Sequence, residues 1–324
     1  MPRLACFSIL CFSILFHQPI LAQEHLSNDD VRDMGHTIGF SMGQNLSLDE
    51  IARMYPVLAG ACELAKREFT ASFGGAVTAI SRALEELYSA KWNETKEQIL
   101  KAIIDKSNFA SLTEGQALEF IGAVRHRAKG DMEERALQTL LMWDPIHRAQ
   151  PQSEFVRYRQ KFVINGEGKS RGIKLQIQYP SSWASLEAER PNILRKFISE
   201  RGRGSQYATV LVKLLPPAER PTKREIEEIF SASGIRDLVP PGGNFISGKR
   251  ISFDGLPGAV VTFTLTADRM GQQFKLRSLM YMTFYRDNIV TLHFSTKDDD
   301  MTFMRFEPLF RLMANSTVIL SQYE

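Results

Sequence analysis

Apolar positions recur at spacings of three and four through the first half of the chain, and at alternate positions through much of the second. Val31, Met34, Ile38 and Met42 form one such stripe, with Gly35, Gly39 and Gly43 beside it at intervals of four. Residues 29–43 are therefore expected to be helical, with the three glycines against another helix. The small-residue stretch "AGACELA", with Ala61 and Ala65, is the expected partner. "SNDDVRDM" opens this helix with acidic residues in its first turn. Ser47 with Glu50, Thr95 with Gln98 and Ser111 with Glu114 each fit a capping box and predict three further helix starts. Pro56 is expected to start a fresh turn or kink the second helix, and "AVTAISRALEELYSA" is read as a helix after "FGG". Gly130 falls where a helix C-terminal glycine belongs, and "DMEERALQTLLM" reads as the last helix of the half. Short loops make neighbouring helices antiparallel.

"DPIHRAQPQSE" (144–154) has two prolines and no apolar stripe, and reads as a linker. Strand patterns follow. "FVRYRQKFVI" and "GIKLQIQY" alternate around the turn "NGEGKSR", then come "NILRKFISE" and "YATVLVKLL". A short helix, "TKREIEEIF", precedes the run "NFISGKRISF", "GAVVTFTLTA", "FKLRSLMYMTFYR" and "NIVTLHFST". "RDN" (286–288) is the tight turn inside the last pair, "DMTFMRFEPLFRLMANS" is a closing helix, and "TVIL" is a candidate final strand. The order predicts an α+β chain: an all-α helical domain, then an antiparallel-sheet α/β sandwich.

The termini and charge add a compartment. Arg3, the apolar run "LACFSILCFSILF" (4–16), Pro19 and Ala22 have the layout of a signal peptide cut near Gln23. Residues 1–22 are assigned to the signal, 23–143 to the helical domain, 144–154 to the linker and 155–324 to the sandwich. The expected destination is export, to the periplasm of a Gram-negative cell or otherwise to the outside. Cys6 lies before the apolar run and makes a poor lipidation site; with Cys6 and Cys11 removed, Cys62 alone remains and reads as a small buried hydrophobe. Residues 23–150 carry 14 basic and 19 acidic side chains, while residues 151–324 carry 25 and 18. The second half is thus the one suited to an anionic partner. The chain lacks the arginine-rich arm of a nucleic-acid binder, and no later stretch has transmembrane length.

"GIKLQIQYPSSW" (172–183), a strand ending in Pro180 and Trp183, resembles the opening of the PsbP/Mog1/DcrB-like superfamily. "LRSLMYMTFYRDNIVTLHFST" and the helix ending "FRLMANSTVI" are similar to the close of that fold. The resemblance covers about the last half of the chain and leaves residues 23–150 unplaced. It implies a PsbP/Mog1-like sandwich and an accessory or binding role, since known members are mostly non-enzymatic.

Candidate chemistry is sparse. "GFSMG" (39–43) matches G-x-S-x-G, but a nucleophile elbow needs a strand before the serine, and Ser41 is preceded by a helical pattern. Gly-Lys-Ser at 168–170 has Val163 where a P-loop needs glycine. His25, His36, His126, His147 and His293 show no zinc spacing. His126 joins Arg125, Arg127 and Lys129 in a last helical turn, and Asp298, Asp299 and Asp300 precede a helix and read as caps rather than calcium ligands. "ERGRGSQ" (200–206) with Lys275, Arg277 and Arg286 makes a possible surface for an anionic partner. The reading is an exported, non-enzymatic accessory or binding protein of the envelope, with no cofactor, metal or catalytic residue. It would bind an envelope protein or a small ligand, with the inter-domain cleft as one place for it. Its rivals are a serine hydrolase using Ser41 and a peripheral binder of anionic membrane.

Overall fold

Leaving a helix or strand exposes main-chain groups that something must cap, and the caps in the computed structural model explain where the elements begin. The structure describes residues 26–89, 91–106, 109, 112–269 and 272–324; the expected signal peptide lies outside them. The chain divides into two compact units, one running to Ser153 and one from Glu154 onward.

In the first unit α1 (Asn28–Met54) starts at the N-cap Ser27, whose hydroxyl accepts from the Asp30 N–H while the Asp30 carboxylate accepts from the Ser27 N–H. It runs past Ser47 without interruption, and the Ser47 hydroxyl donates to the Gly43 carbonyl instead of capping. The helix α2 (Ala59–Tyr88) passes through Gly74 and Gly75, so "FGG" is no break. Pro56 does begin a fresh turn, a 3-10 segment ahead of α2. Thr95 lies inside α3 (Lys91–Lys106), and α4 (Glu114–Arg127) is capped by Thr113 with Gln116, two residues beyond the expected start. At Ser47 and Thr95 the cause is the same: the S/T-x-x-E/Q pattern also fits a helix interior, where the hydroxyl bonds back one turn; Ser111 lies outside the described residues. Gly130, at φ 95°, follows α4 as expected, and α5 is Glu134–Trp143.

The stretch expected as a linker is helical. Asp144 caps α6 (Pro145–Ala149), accepting from Ile146 and His147 N–H, and α7 (Pro151–Arg157) follows. Asp before Pro is an N-cap and N1 pair, a signal that the prolines masked.

Buried polar groups pin this unit. Asp33, Thr37, Ser41 and Gln44 form an inward stripe on α1. Asp33 Oδ1 lies 2.5 Å from Arg135 Nε, and Gln44 Oε1 accepts from Arg127 at 3.2 Å. The Arg127 guanidinium is held between the Phe40 and Phe120 rings, at 5.2 and 5.4 Å.

The second unit is antiparallel throughout. β1 (Arg159–Asn165) and β2 (Lys174–Pro180) form a two-stranded ribbon. β3 (Ala184–Leu186), β4 (Ile193–Ile198), β5 (Tyr207–Leu214), β6 (Gly243–Phe253), β7 (Leu256–Arg269), β8 (Gln272–Tyr285) and β9 (Asn288–Lys297) form a seven-stranded sheet in the order β3-β4-β5-β9-β8-β7-β6. The closing helix α10 (Asp300–Asn315) lays Phe306, Phe310 and Met313 on one face, where Phe310 stacks on Phe294 of β9 at 5.2 Å. The ribbon covers the same face with Leu175 and Ile177. The other face packs Phe263, Met280, Met282 and Phe284 against Phe230, Ile235 and Leu238, which follow the short helix α9 (Lys223–Ile229). With both faces covered, β9 is buried at every position but its last, its polar residues Asn288, Thr291, His293, Ser295 and Thr296 included. The basic stretch "ERGRGSQ" folds onto itself. In the one-turn element α8 (Ser199–Gly202), Glu200, Arg201 and Gly202 are all left-handed, and the Arg201 N–H donates to the Ser182 carbonyl. "TVIL" is no strand; it makes a single bridge, Val318 to Gln176, before a 3-10 turn.

Candidate functional site

Strand register sets a polar row into the second face of the sheet. Tyr207 lies opposite Ser295 and Ser278 opposite Ser295 on its other side, with His293 two residues along. The Ser278 and Ser295 hydroxyls are 2.6 Å apart, and His293 Nε2 is 3.2 Å from Ser295 Oγ. The Phe263 ring stacks on the imidazole at 5.9 Å, and Tyr207 meets it edge-on at 6.0 Å. Burial lowers the His293 pKa from 6.5 to about 4 and raises that of the Tyr207 phenol. A hydroxyl beside an imidazole is the beginning of a nucleophile pair. Here His293 and Ser278 are 1% exposed and Ser295 0%, and so weak a base is poorly matched to neutral pH. Ser278, Ser295 and His293 Nε2 are hydrogen-bonded in a chain inside the core.

The residues singled out in the sequence are scattered. Ser41 is buried in the middle of α1, with helix on both sides, so the strand-turn-helix geometry of an elbow is lacking. Gly39 and Gly43 do face another helix, but it is α3 through Ile99 and Ile103, not the Ala61–Ala65 stretch; Gly35 faces open space. Cys62 is buried, and burial pushes its thiol pKa up. His126 is exposed in the last turn of α4, beside Asp131 at 3.7 Å. Asp299 caps α10 through the Thr302 N–H. Among the described residues no group of His, Cys, Asp and Glu is placed to hold a metal ion, and no described helix is long and apolar enough to cross a membrane.

Lys275, Arg277 and Arg286 do not make one surface. Arg277 donates through Nε to Asp298 at 2.9 Å and through Nη1 to Asp300 at 2.6 Å, with its guanidinium over Phe303 at 5.3 Å. Its charge is neutralised while it ties β8 to the start of α10. Lys275 is exposed on the same strand face. Arg286 occupies the β8–β9 turn at φ 51°, nine residues past Arg277, a span of about 30 Å at strand rise.

Two features were missed. Glu154, at the start of the second unit, is buried and accepts from Ser182 N–H and Ser182 Oγ, both at 2.8 Å. Burial raises its pKa from 4.5 to about 7, partly offset by those two bonds. The other is a basic ribbon face. Arg159, Lys161, Val163 and Asn165 alternate outward along β1, opposite Pro180, Gln178, Gln176 and Lys174. No acidic residue occurs from 155 to 166. The alternation of "RYRQK" was visible as a strand pattern; that its basic side faces outward required knowing which face meets the core.

No protein-family model and no curated protein matches the chain by sequence. Solved structures that are similar over about half of it include cyanobacterial PsbP (CyanoP) from Synechocystis sp. PCC 6803, with 15% identity, 50% of this chain and 92% of that chain covered, and a TM-score of 0.35. The Ran-binding protein Mog1p of Saccharomyces cerevisiae is similar at 9% identity, covering 50% and 95%, with a TM-score of 0.35. LpqN of Mycobacterium tuberculosis, involved in cell envelope biogenesis, is similar at 11% identity, covering 52% and 95%, with a TM-score of 0.32. Each of these likenesses covers about half of this chain.

Proposed function

We propose that the chain is an exported, non-enzymatic accessory protein of the cell envelope that acts by binding another envelope protein or a small ligand. One observation supports this above others: the sorting of polar chemistry in the second unit. The imidazole and hydroxyls of His293, Ser278 and Ser295 are sealed in the core, whereas the cations Arg159 and Lys161 stand on an outward strand face. A surface that offers charge and main-chain groups without a nucleophile suits recognition rather than turnover. The leader-like sequence of residues 1–22 supports export.

The rival is a serine hydrolase. Folded protein treated with a fluorophosphonate probe is expected to stay unlabelled. Labelling that disappears in Ser41→Ala, together with turnover of an ester substrate, would overturn the non-enzymatic reading. Export is tested by fractionating cells that produce the full chain; a cytoplasmic protein retaining residues 1–22 would remove that part.

A further inference from the structure

We propose that the outer edge of β1 docks an extended acidic segment of a partner protein, which adds to the β1–β2 ribbon as a third strand. The inference rests on the binding reading above and names the partner's chemistry.

A strand edge is a row of main-chain N–H and C=O groups that templates another strand, and proteins usually blunt it. The other edges of this unit are blunted or closed. β3 has three residues. β6 carries a bulge between Phe245 and Ser247, and in the seven regular residues beyond it the Arg250 guanidinium is already paired with the Glu227 carboxylate. The far side of β2 is closed by the C-terminal segment. Gln176 and Val318 exchange main-chain bonds of 2.9 and 3.1 Å, and the N–H groups of Lys174 and Gln178 donate to Ser321 and Ser316 hydroxyls at 2.7 and 3.0 Å.

β1 differs. Its seven residues pair with β2 in unbroken register from Arg159–Pro180 to Asn165–Lys174. It holds no proline and no bulge, and among the described residues no strand lies on its other side. Main-chain bonds to such an edge supply affinity, and alternate side chains supply specificity.

The side chains select the partner. Arg159 and Lys161 lie on the same face two residues apart, with no carboxylate between 155 and 166 in the sequence; the Arg159 guanidinium also donates to the Val156 carbonyl at 2.8 Å, so Lys161 carries most of the selection. An incoming strand with carboxylates at alternate positions places them beside these cations at cross-strand distance, about 5 Å. A second copy of β1 would bring cations against cations, which disfavours self-pairing. The lysine therefore excludes like edges and admits an acidic one.

The test uses the full-length folded protein and the peptide acetyl-Glu-Thr-Glu-Val-Glu-Thr-Glu-amide. Amide hydrogen exchange at residues 159–165 is followed during titration. Binding is expected at or below about 1 mM, with slowed exchange at alternate β1 amides. The same peptide N-methylated at alternate residues keeps its charges but cannot pair along the main chain, and should not bind. Lys161→Gln and Lys161→Glu should weaken binding about threefold and about tenfold respectively, with unchanged melting temperature confirming the fold. The proposal is overturned by absent protection at 159–165, by equal binding of the N-methylated peptide, or by affinity unmoved in both variants. Those results remove the β1 edge alone; the non-enzymatic reading fails separately, on residue-dependent turnover.

Discussion

The Glu154 carboxylate accepts two hydrogen bonds from a single residue, the N–H and the hydroxyl of Ser182, each at 2.8 Å. The pair fastens the middle of α7 to the turn after β2. Because burial raises the carboxyl pKa from 4.5 to about 7, the native state binds this proton more tightly than the unfolded chain. This contribution to stability therefore falls as pH rises through that window, and its penalty is complete above it. In Glu154→Gln the carbonyl can still accept from the N–H and the amide can donate to the hydroxyl. Denaturant midpoints for this variant should lose that decline between about pH 5 and about pH 7.5, and should exceed wild type at the upper end. Identical pH slopes in both proteins would rule the account out.

His293 should act with the opposite sign. Its folded pKa, about 4, lies below the ordinary 6.5, so the unfolded chain takes up the proton first on acidification. Stability tied to this residue is present above pH 6.5 and is lost as pH falls toward 4. His293→Phe keeps an aromatic ring against Phe263 and removes the titration. Acid unfolding monitored by tryptophan fluorescence should begin at lower pH in the variant; an unshifted acid limb would contradict the desolvated neutral imidazole.

The glycines of α1 should be replaceable. A Cβ added at Gly35 meets nothing within 4 Å, and at Gly39 and Gly43 it meets Ile99 and Ile103 at an ordinary 3.6 Å. Alanine at each should stabilise the helix by about 0.5–1 kcal/mol, read as a raised melting temperature. Gly258→Ala should do the reverse, by about 1–3 kcal/mol, because its Cβ would come within 2.6 Å of the Met282 carbonyl oxygen. Destabilisation in all the α1 variants would show that the stripe is packed more tightly than this.

Arg277 should matter to the fold and not to anion binding. Arg277→Ala leaves Asp298, whose side chain is 18% exposed, without its guanidinium and should cost about 1–3 kcal/mol. Arg277→Lys should recover only part of this, since one ammonium cannot reproduce the forked contact to Asp298 and Asp300. Affinity for the acidic peptide should be the same in both variants as in wild type. A tenfold loss there would return Arg277 to the binding surface.

Much of the architecture was legible because period and burial agree. The 3.6-residue stripe of Val31, Met34, Ile38 and Met42 and the alternation of "GIKLQIQY" each occupy the element they predict. Local signals misled where one motif serves two contexts, as at Ser47 and Thr95, whose hydroxyls bond back within a helix. The functional surface was less legible. Basic residues were grouped by charge, but whether a cation is free depends on carboxylates distant in sequence, and Asp298 and Asp300 claim Arg277 only once β9 lies beside β8. Arg159 and Lys161 were passed over because a polar strand face announces a partner only when the strand proves to lie at an edge.

The place of β9 has a consequence for biogenesis. This strand is the last of the sheet to be synthesised, yet it lies between β5 and β8. Until residues 288–297 emerge, the nascent sheet is two separate pieces with their long central flanks unsatisfied. Completion thus waits for residues 288–297, a topology of distant pairings that slows closure and prolongs the open, chaperone-accessible state.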